Sequence, residues 1–216
     1  MYKYIFLDLD GTLTDPFLGI TNSVKYALKK FNIDKTNEEL KCFIGPPLRY
    51  SFSKYYNFSA EDAEQAVKYY REVYSTTGLF ENELYPDTVY VLEELKKLGV
   101  KIVLATSKPE KFSILILKHF NIYEYFDFCS GASMDKTRDT KADVIKYAID
   151  SLNIKNMDEV LMVGDRYHDV EGAAQFGIKC CYVTYGYGSR NEAIEHGAKY
   201  IIDDLKDLIK IIKDSN

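Results

Sequence analysis

At 216 residues the chain is long enough for one sizeable domain or for a domain carrying an insert, and with 46% hydrophobic and 28% charged residues it is globular rather than disordered in composition. A formal net charge of -5, with Lys and Arg scattered rather than gathered in a stripe, argues against a nucleic-acid binder. The four cysteines, Cys42, Cys129, Cys180 and Cys181, have neither zinc spacing nor disulfide-scaffold density, and no apolar run approaches a signal-peptide core or a membrane span, so a reduced cytoplasmic protein is expected.

The chain opens on Tyr4-Ile5-Phe6-Leu7-Asp8-Leu9-Asp10-Gly11-Thr12, which predicts a buried strand ending in two carboxylates one residue apart. In an extended segment alternate side chains share a face, so Asp8 and Asp10 are expected to converge while Leu9 packs the other way, and Gly11 permits a tight exit. Such a pair repels unless it is neutralised. A hard divalent cation with oxygen ligands, Mg²⁺, does so and attracts phosphate as well.

Residues 16–82 then read as helices only. Ile20, Val24, Ala27, Leu28 and Phe31 recur at helical spacing, Thr36 with Glu39 makes a capping-box pattern, and Ser59 is placed to cap a long Tyr-rich helix running through Tyr74. This is an α-helical insert, which divides the chain into a core of residues 1–15 and 83–216 and a second domain of residues 16–82.

From Leu84 onward the pattern alternates. Asp87 is placed to cap a helix through Leu98 that Gly99 ends, and strands are predicted at 100–105, 126–130, 160–163, 181–184 and 200–202. Between and after them, helices are predicted at 109–120, 141–152, 169–176, 192–195 and 205–212. The alternation implies an α/β core, a doubly wound parallel sheet with helices on both faces. In such sheets ligands bind outside the carboxyl ends of the strands.

Four of those ends carry polar chemistry. The first offers Asp8, Asp10 and Thr12. The second is Thr106-Ser107-Lys108, whose hydroxyls and N–H groups before a helix form a phosphate cradle, although the same two residues are equally an ordinary helix cap. Lys141, at a predicted helix start, opposes the helix dipole, a violation tolerated where the ammonium faces an anion and carboxylates; a solvated surface lysine is the alternative. The fourth end, Gly164-Asp165-Arg166-Tyr167-His168-Asp169, gives one acid for a cation and a second in the first helical turn, where acids also serve as caps. His168 is read as a helix-start residue. Tyr185-Gly186-Tyr187-Gly188-Ser189 is read either as an edge of the pocket or as a plain turn.

Taken together, Asp8-x-Asp10-Gly11-Thr12, Thr106, Lys141 and Gly164-Asp165-x-x-x-Asp169 match, in order and context, the four motifs of the haloacid dehalogenase superfamily. The chain most resembles its phosphatase branch containing phosphoglycolate phosphatases, where a helical cap comes after the first motif as residues 16–82 do here. The resemblance implies a Mg²⁺-dependent hydrolase of small phosphomonoesters, such as phosphoglycolate, 5′-nucleotides or sugar phosphates. Asp8 is then the nucleophile and Asp10 the acid and base. The Asp8 side chain, the Asp10 main-chain carbonyl and the Asp165 side chain hold the metal, with Thr12 and Asp169 behind them. Thr106 and Ser107 bind phosphoryl oxygens, and Lys141 offsets charge on the nucleophile and the transferring group.

In relatives a loop similar to Gly45-Pro46-Pro47-Leu48-Arg49 lies over the active site, so Arg49 is expected to meet the remote end of the substrate, although it stands one residue from the arginine of the related sugar-phosphate mutases. A helix-surface arginine is the alternative. Tyr50, Tyr55, Tyr56, Tyr69, Tyr70 and Tyr74 read either as helix packing or as a stacking or self-association face. Two further functions compete: a phosphomutase resembling β-phosphoglucomutase, and a catalytically idle binding or regulatory protein. The expected partner is a small phosphorylated metabolite, with no nucleic acid and no membrane. Oligomeric state is not encoded in any motif.

Overall fold

The structure, a computed structural model, describes residues 1–135 and 137–215. By its internal contacts the chain forms two compact units, one of Met1–Thr14 with Leu84–Asn216 and the other of Asp15–Glu83. The boundaries fall one residue outside each end of the insert read from the sequence.

The first unit is built on a parallel sheet that begins with β1 (Tyr4–Leu7). Short strands β2 (Thr14–Asp15) and β3 (Glu83–Leu84) pair separately, at the two points where the chain passes from one unit to the other. Then come β4 (Lys101–Pro109), β5 (Phe128–Ala132), β6 (Val160–Gly164), β7 (Lys179–Val183) and β8 (Tyr200–Ile202), giving the six-stranded order β5-β4-β1-β6-β7-β8. β1 lies between β4 and β6, both parallel to it, with Leu7 level with Leu104 on one side and Val163 on the other. Strands buried on both faces carry apolar residues at nearly every position, as Ile5-Phe6-Leu7 and Val160-Leu161-Met162-Val163 do.

Helices supply the covers. The insert contains α1 (Phe17–Lys29), α2 (Leu48–Tyr56) and α3 (Ala60–Val73); the sheet carries α4 (Thr88–Lys97), α5 (Glu110–His119), α6 (Lys141–Ser151), α7 (Tyr167–Ala174), α8 (Arg190–Glu195) and α9 (Asp207–Asp214). On one face Phe6, Val103, Ala105 and Met162 form a core with Val144, Ile145 and Ala148 of α6 and Val170 and Ala173 of α7. Ile5, Leu7, Ile102 and Leu104, also buried, alternate to the other face, where α4 and α5 pack on β4. From β1 the chain steps outward through β4 to β5, then crosses back to β6 and continues to β8. Right-handed crossovers in opposite directions place helices on opposite faces, and the direction of travel reverses at β1.

Several local expectations shift. β4 runs on through Thr106-Ser107-Lys108 to Pro109, with a register irregularity against β5 between Thr106 and Pro109. β5 starts two residues late, because Tyr123–Tyr125 makes a 3₁₀ turn before it. Asp87 stands at the start of α4 but in a left-handed conformation, φ 64°, with no capping bond, and its carboxylate meets Lys206 at 2.9 Å instead. Thr36 and Glu39 do bond reciprocally, yet they open a 3₁₀ helix, Glu38–Phe43. Ser59 caps α3 through the Asp62 N–H at 3.0 Å.

In the insert Phe31, Phe43, Phe52 and Phe58 interlock at centroid distances of 4.5 to 5.8 Å, and the buried Tyr70 stacks on Tyr74. Those two tyrosines are packing residues. Tyr50 and Tyr55 are exposed, with the Lys54 ammonium over both rings.

Candidate active site

Register brings the strand ends together. With β1 central and its neighbours level, Asp8 comes directly after Leu7, where the Val163 carbonyl accepts its N–H at 2.9 Å, so Asp8 and Asp165 emerge side by side. The strand ends at Leu7, however, and alternation does not carry Asp10 to the site. The chain instead folds over the Leu9 carbonyl, which accepts the N–H groups of Thr12, Leu13 and Thr14 at 2.9 to 3.2 Å, and this turn delivers Asp10. Gly11 serves the turn with φ +85°; a Cβ there would lie 2.1 Å from Asp165 Oδ2.

Each acid of the first motif has its own lysine. Lys141 Nζ lies 2.9 Å from Asp8 Oδ1 and 2.7 Å from Asp169 Oδ1, and it donates to the Ala105 carbonyl at 3.0 Å. Lys141 is buried, as its dipole-opposing place at the first residue of α6 requires, and a Thr140–Asp143 capping box holds that helix end. Gly172 of α7 leaves room for it: a Cβ would meet Lys141 Cγ at 2.9 Å. Asp10 pairs instead with Lys108, through Oδ2.

Asp8, Asp165 and Asp169 offer carboxylate oxygens within 4.8 Å of one another, all three residues buried. Asp165 Oδ2 accepts the Tyr187 N–H at 2.7 Å, whereas its Oδ1 is buried with no hydrogen-bond partner. Asp169 Oδ2 accepts the Arg166 N–H at 3.1 Å, and Gly164 makes space for that carboxyl, 2.2 Å from where a Cβ would stand. The Asp10 side chain is not one of the three; of Asp10 only the main-chain carbonyl remains for the ligand role expected of it.

This crowding sets the electrostatics. Burial, then the charges of Asp169 and Asp8, push the Asp165 carboxyl well above its ordinary range. Burial raises Asp169 to about 6 despite Lys141, and raises Asp10 despite Lys108. Burial pulls Lys141 down, but Asp169 and Asp8 outweigh it and hold the ammonium charged. A stranded acid group with one bare buried oxygen suits a hard cation and oxygen coordination, which Mg²⁺ or a similar ion fits.

The other expected residues are placed around this cluster or away from it. Thr106 is buried and its Oγ1 accepts the Lys108 N–H at 3.2 Å; Ser107, next to it, is half-buried. Thr12 is buried with an unpartnered hydroxyl, and its carbonyl accepts from Tyr185 OH at 2.7 Å. Arg49 lies in the other unit, at the start of α2, with its guanidinium bonded at two nitrogens to Glu64 of α3. The pairing links two helices of that unit.

Two contributors have roles that no motif in the sequence assigns. Lys108 comes after the Thr-Ser pair without a motif of its own; the only signal is a cation at the end of an apolar strand. The segment after β7 is the second: Tyr187 holds Asp165, Tyr185 holds the turn at Thr12, and Glu192 of α8 accepts from the Tyr167 N–H at 2.8 Å and Tyr182 OH at 3.0 Å. It braces the Asp165 carboxylate.

An acid cluster at the reversal point of a doubly wound sheet, with a second acid one turn away and a buried lysine between carboxylates, defines a hydrolase site for an anionic, phosphoryl-type group. Comparison with known proteins places the chain: residues 4–183 match the model of the haloacid dehalogenase-like hydrolases, and the chain belongs to that family. It is 39% identical over 213 residues to a 5′-nucleotidase of Pseudomonas aeruginosa, covering 98% of this chain and 96% of the relative. It is 35% identical over 217 residues to the tyrosine-protein kinase PtkA of Mycobacterium tuberculosis, covering 97% and 73%. Phosphoglycolate phosphatase 1 of Pseudomonas aeruginosa is 28% identical over 215 residues, covering 96% and 78%. A crystal structure described as a predicted phosphatase from Clostridium acetobutylicum superposes with a TM-score of 0.95 at 47% identity, covering 99% of each chain. Among the described residues, no helix is long and apolar enough to cross a membrane.

Proposed function

We propose that this protein is a Mg²⁺-dependent phosphatase of small phosphomonoesters that works through a phosphorylated Asp8. The observation that carries the reading is Asp8 itself: buried at the end of the central strand, charge-compensated by Lys141 at 2.9 Å, and grouped with Asp165 and Asp169. Family membership and the 5′-nucleotidase and phosphoglycolate phosphatase relatives support the substrate class.

Asp8, Asp165 and the Asp10 carbonyl are the groups that would hold the cation. Asp169 stands behind them, its Oδ1 engaged by Lys141 and its Oδ2 by the Arg166 N–H. The ion would neutralise charge on the nucleophile and the phosphoryl oxygens.

A carboxylate oxygen of Asp8 attacks phosphorus in line, the ester P–O bond breaks, and the Asp10 carboxyl gives its proton to the leaving oxygen. Water then attacks the acyl phosphate. Asp10, now the base, takes a proton from that water as inorganic phosphate leaves. Its raised affinity for a proton, due to burial, suits the first step, since a carboxyl at the ordinary value is deprotonated near neutral pH. Thr106 and Ser107, which follow the apolar run of β4, would bind phosphoryl oxygens, and Lys141 balances charge as it accumulates. The four free cysteines suit a reducing cytoplasm.

The test is phosphate release from 5′-nucleotides, phosphoglycolate and sugar phosphates with Mg²⁺. The wild type should turn over one or more of them, and Asp8→Asn should fall to the blank. Full activity in Asp8→Asn contradicts the reading; isomerisation of a sugar phosphate without phosphate release identifies a mutase instead.

A further inference from the structure

Lys108 has no part in the chemistry above, yet it is a lysine with a side chain only 5% exposed, and buried lysines are rare unless paired. Its partner is Asp10, whose side chain is 12% exposed. The placement depends on a local irregularity: the register of β4 against β5 shifts between Thr106 and Pro109, and the Lys108 N–H turns back onto Thr106 Oγ1 at 3.2 Å. Lys108 thus sits within the irregular stretch, two residues after Thr106, and its side chain reaches the first-motif turn.

The two carboxyl oxygens of Asp10 differ. Oδ2 is held by the ammonium, whereas Oδ1 is buried without a hydrogen-bond partner. Charge compensation of the nucleophile does not require Lys108, because Lys141 already contacts Asp8, Asp169 and the Ala105 carbonyl. Nor is stability a sufficient reason, since a buried ion pair is on balance close to neutral against an apolar replacement.

We infer that Lys108 is a positioning residue for proton transfer: it fixes Asp10 through Oδ2 so that Oδ1 is the oxygen turned to the leaving group. The inference rests on Asp10 being the general acid. In the first step the proton leaves Asp10 Oδ1 for the ester oxygen as the P–O bond breaks; in the second the same oxygen takes a proton from water.

The consequence is a dependence on leaving group. An alkoxide needs that proton, whereas p-nitrophenolate, a far weaker base, leaves almost without it. With β-glycerol phosphate, kcat/KM of Lys108→Met should drop about tenfold or more, and with p-nitrophenyl phosphate less than about threefold, against a general-acid contribution of roughly 10²–10⁴. Lys108→Arg, which keeps a cation, should recover most of the alkyl activity. The Asp10→Asn/Lys108→Met double variant should lose little beyond Asp10→Asn alone, because both act on one proton. Equal losses on the two substrates in Lys108→Met overturn the inference, as does full additivity in the double variant. If Lys108→Met fails to fold, Lys108→Arg decides: a loss equal on both substrates overturns it. If Asp10→Asn also loses equally on both substrates, the general-acid role of Asp10 fails; if Asp10→Asn discriminates and the Lys108 variants do not, only the role of Lys108 fails.

Discussion

Asp165 is buried beside two other carboxylates, and its behaviour with pH is a signature at the scale of one residue. Burial and two neighbouring carboxylates hold its proton affinity above the ordinary value of 3.8. A group whose folded-state pKa is raised stabilises the fold below its unfolded value and loses that contribution as pH rises through the folded value. In EDTA, therefore, Asp165→Asn should melt at a higher temperature than the wild type, by a margin that grows from about pH 4 towards neutrality. Added Mg²⁺ should raise the melting temperature of the wild type and leave Asp165→Asn nearly unmoved. A margin independent of pH contradicts the raised proton affinity, and an equal response to Mg²⁺ contradicts a cation on this carboxylate. The pairing of Asp10 with Lys108 belongs to the same scale, and sequence did not disclose it: the strand pattern ends at Leu7, and the register of β4 is irregular where Lys108 stands.

At the scale of the element, the site is assembled by four strand ends and by the turn or helix that each one leads into. The segment after β7 presses on Asp165: a Cβ on Gly186 would lie 2.4 Å from both Asp165 Cβ and the Gly11 carbonyl oxygen. Gly186→Ala should displace Asp165 and raise the Mg²⁺ concentration for half-maximal activity several-fold, with far-ultraviolet circular dichroism unchanged; an unaltered Mg²⁺ dependence would show that the loop does not brace the acid. The Thr140–Asp143 box holds the end of α6 that carries Lys141. Thr140→Ala should cost about 1 kcal/mol, a fall of roughly 2–4 °C in Tm for a chain of this size. No loss in a thermal melt would assign that helix end to tertiary packing instead. The strands after Leu84 were readable because apolar, β-branched runs buried on both faces have few other uses, and Asp8, Thr106, Lys141 and Asp165 were readable because each stands where such a run ends or a helix begins. Less readable was the room each side chain is given by a neighbour's missing one: Asp169 beside Gly164, Lys141 beside Gly172 and Asp165 beside Gly11.

At the scale of the whole molecule, the reversal of strand order at β1 gives Asp8 the centre of the sheet, with β4 and β6 level on either side. The Asp15–Glu83 unit has an aromatic cluster of its own in Phe31, Phe43, Phe52 and Phe58. Its ends lie near the change from a helix-only to an alternating sequence pattern. The engagement of Arg49 by Glu64 was not legible, because nothing in the spacing of Arg49 and Glu64 marks a contact between two helices. The account stands on Asp8 as the group that takes up phosphorus. Wild-type protein mixed with a hydrolysable phosphomonoester and Mg²⁺, quenched in acid and reduced with borohydride, converts an acyl phosphate to the corresponding alcohol, which peptide mass spectrometry locates. The result predicted is homoserine at position 8 alone, and none in Asp8→Asn. Label at Asp10, Asp165 or Asp169, or hydrolysis with no labelled acid in the rapidly quenched wild type, would contradict it.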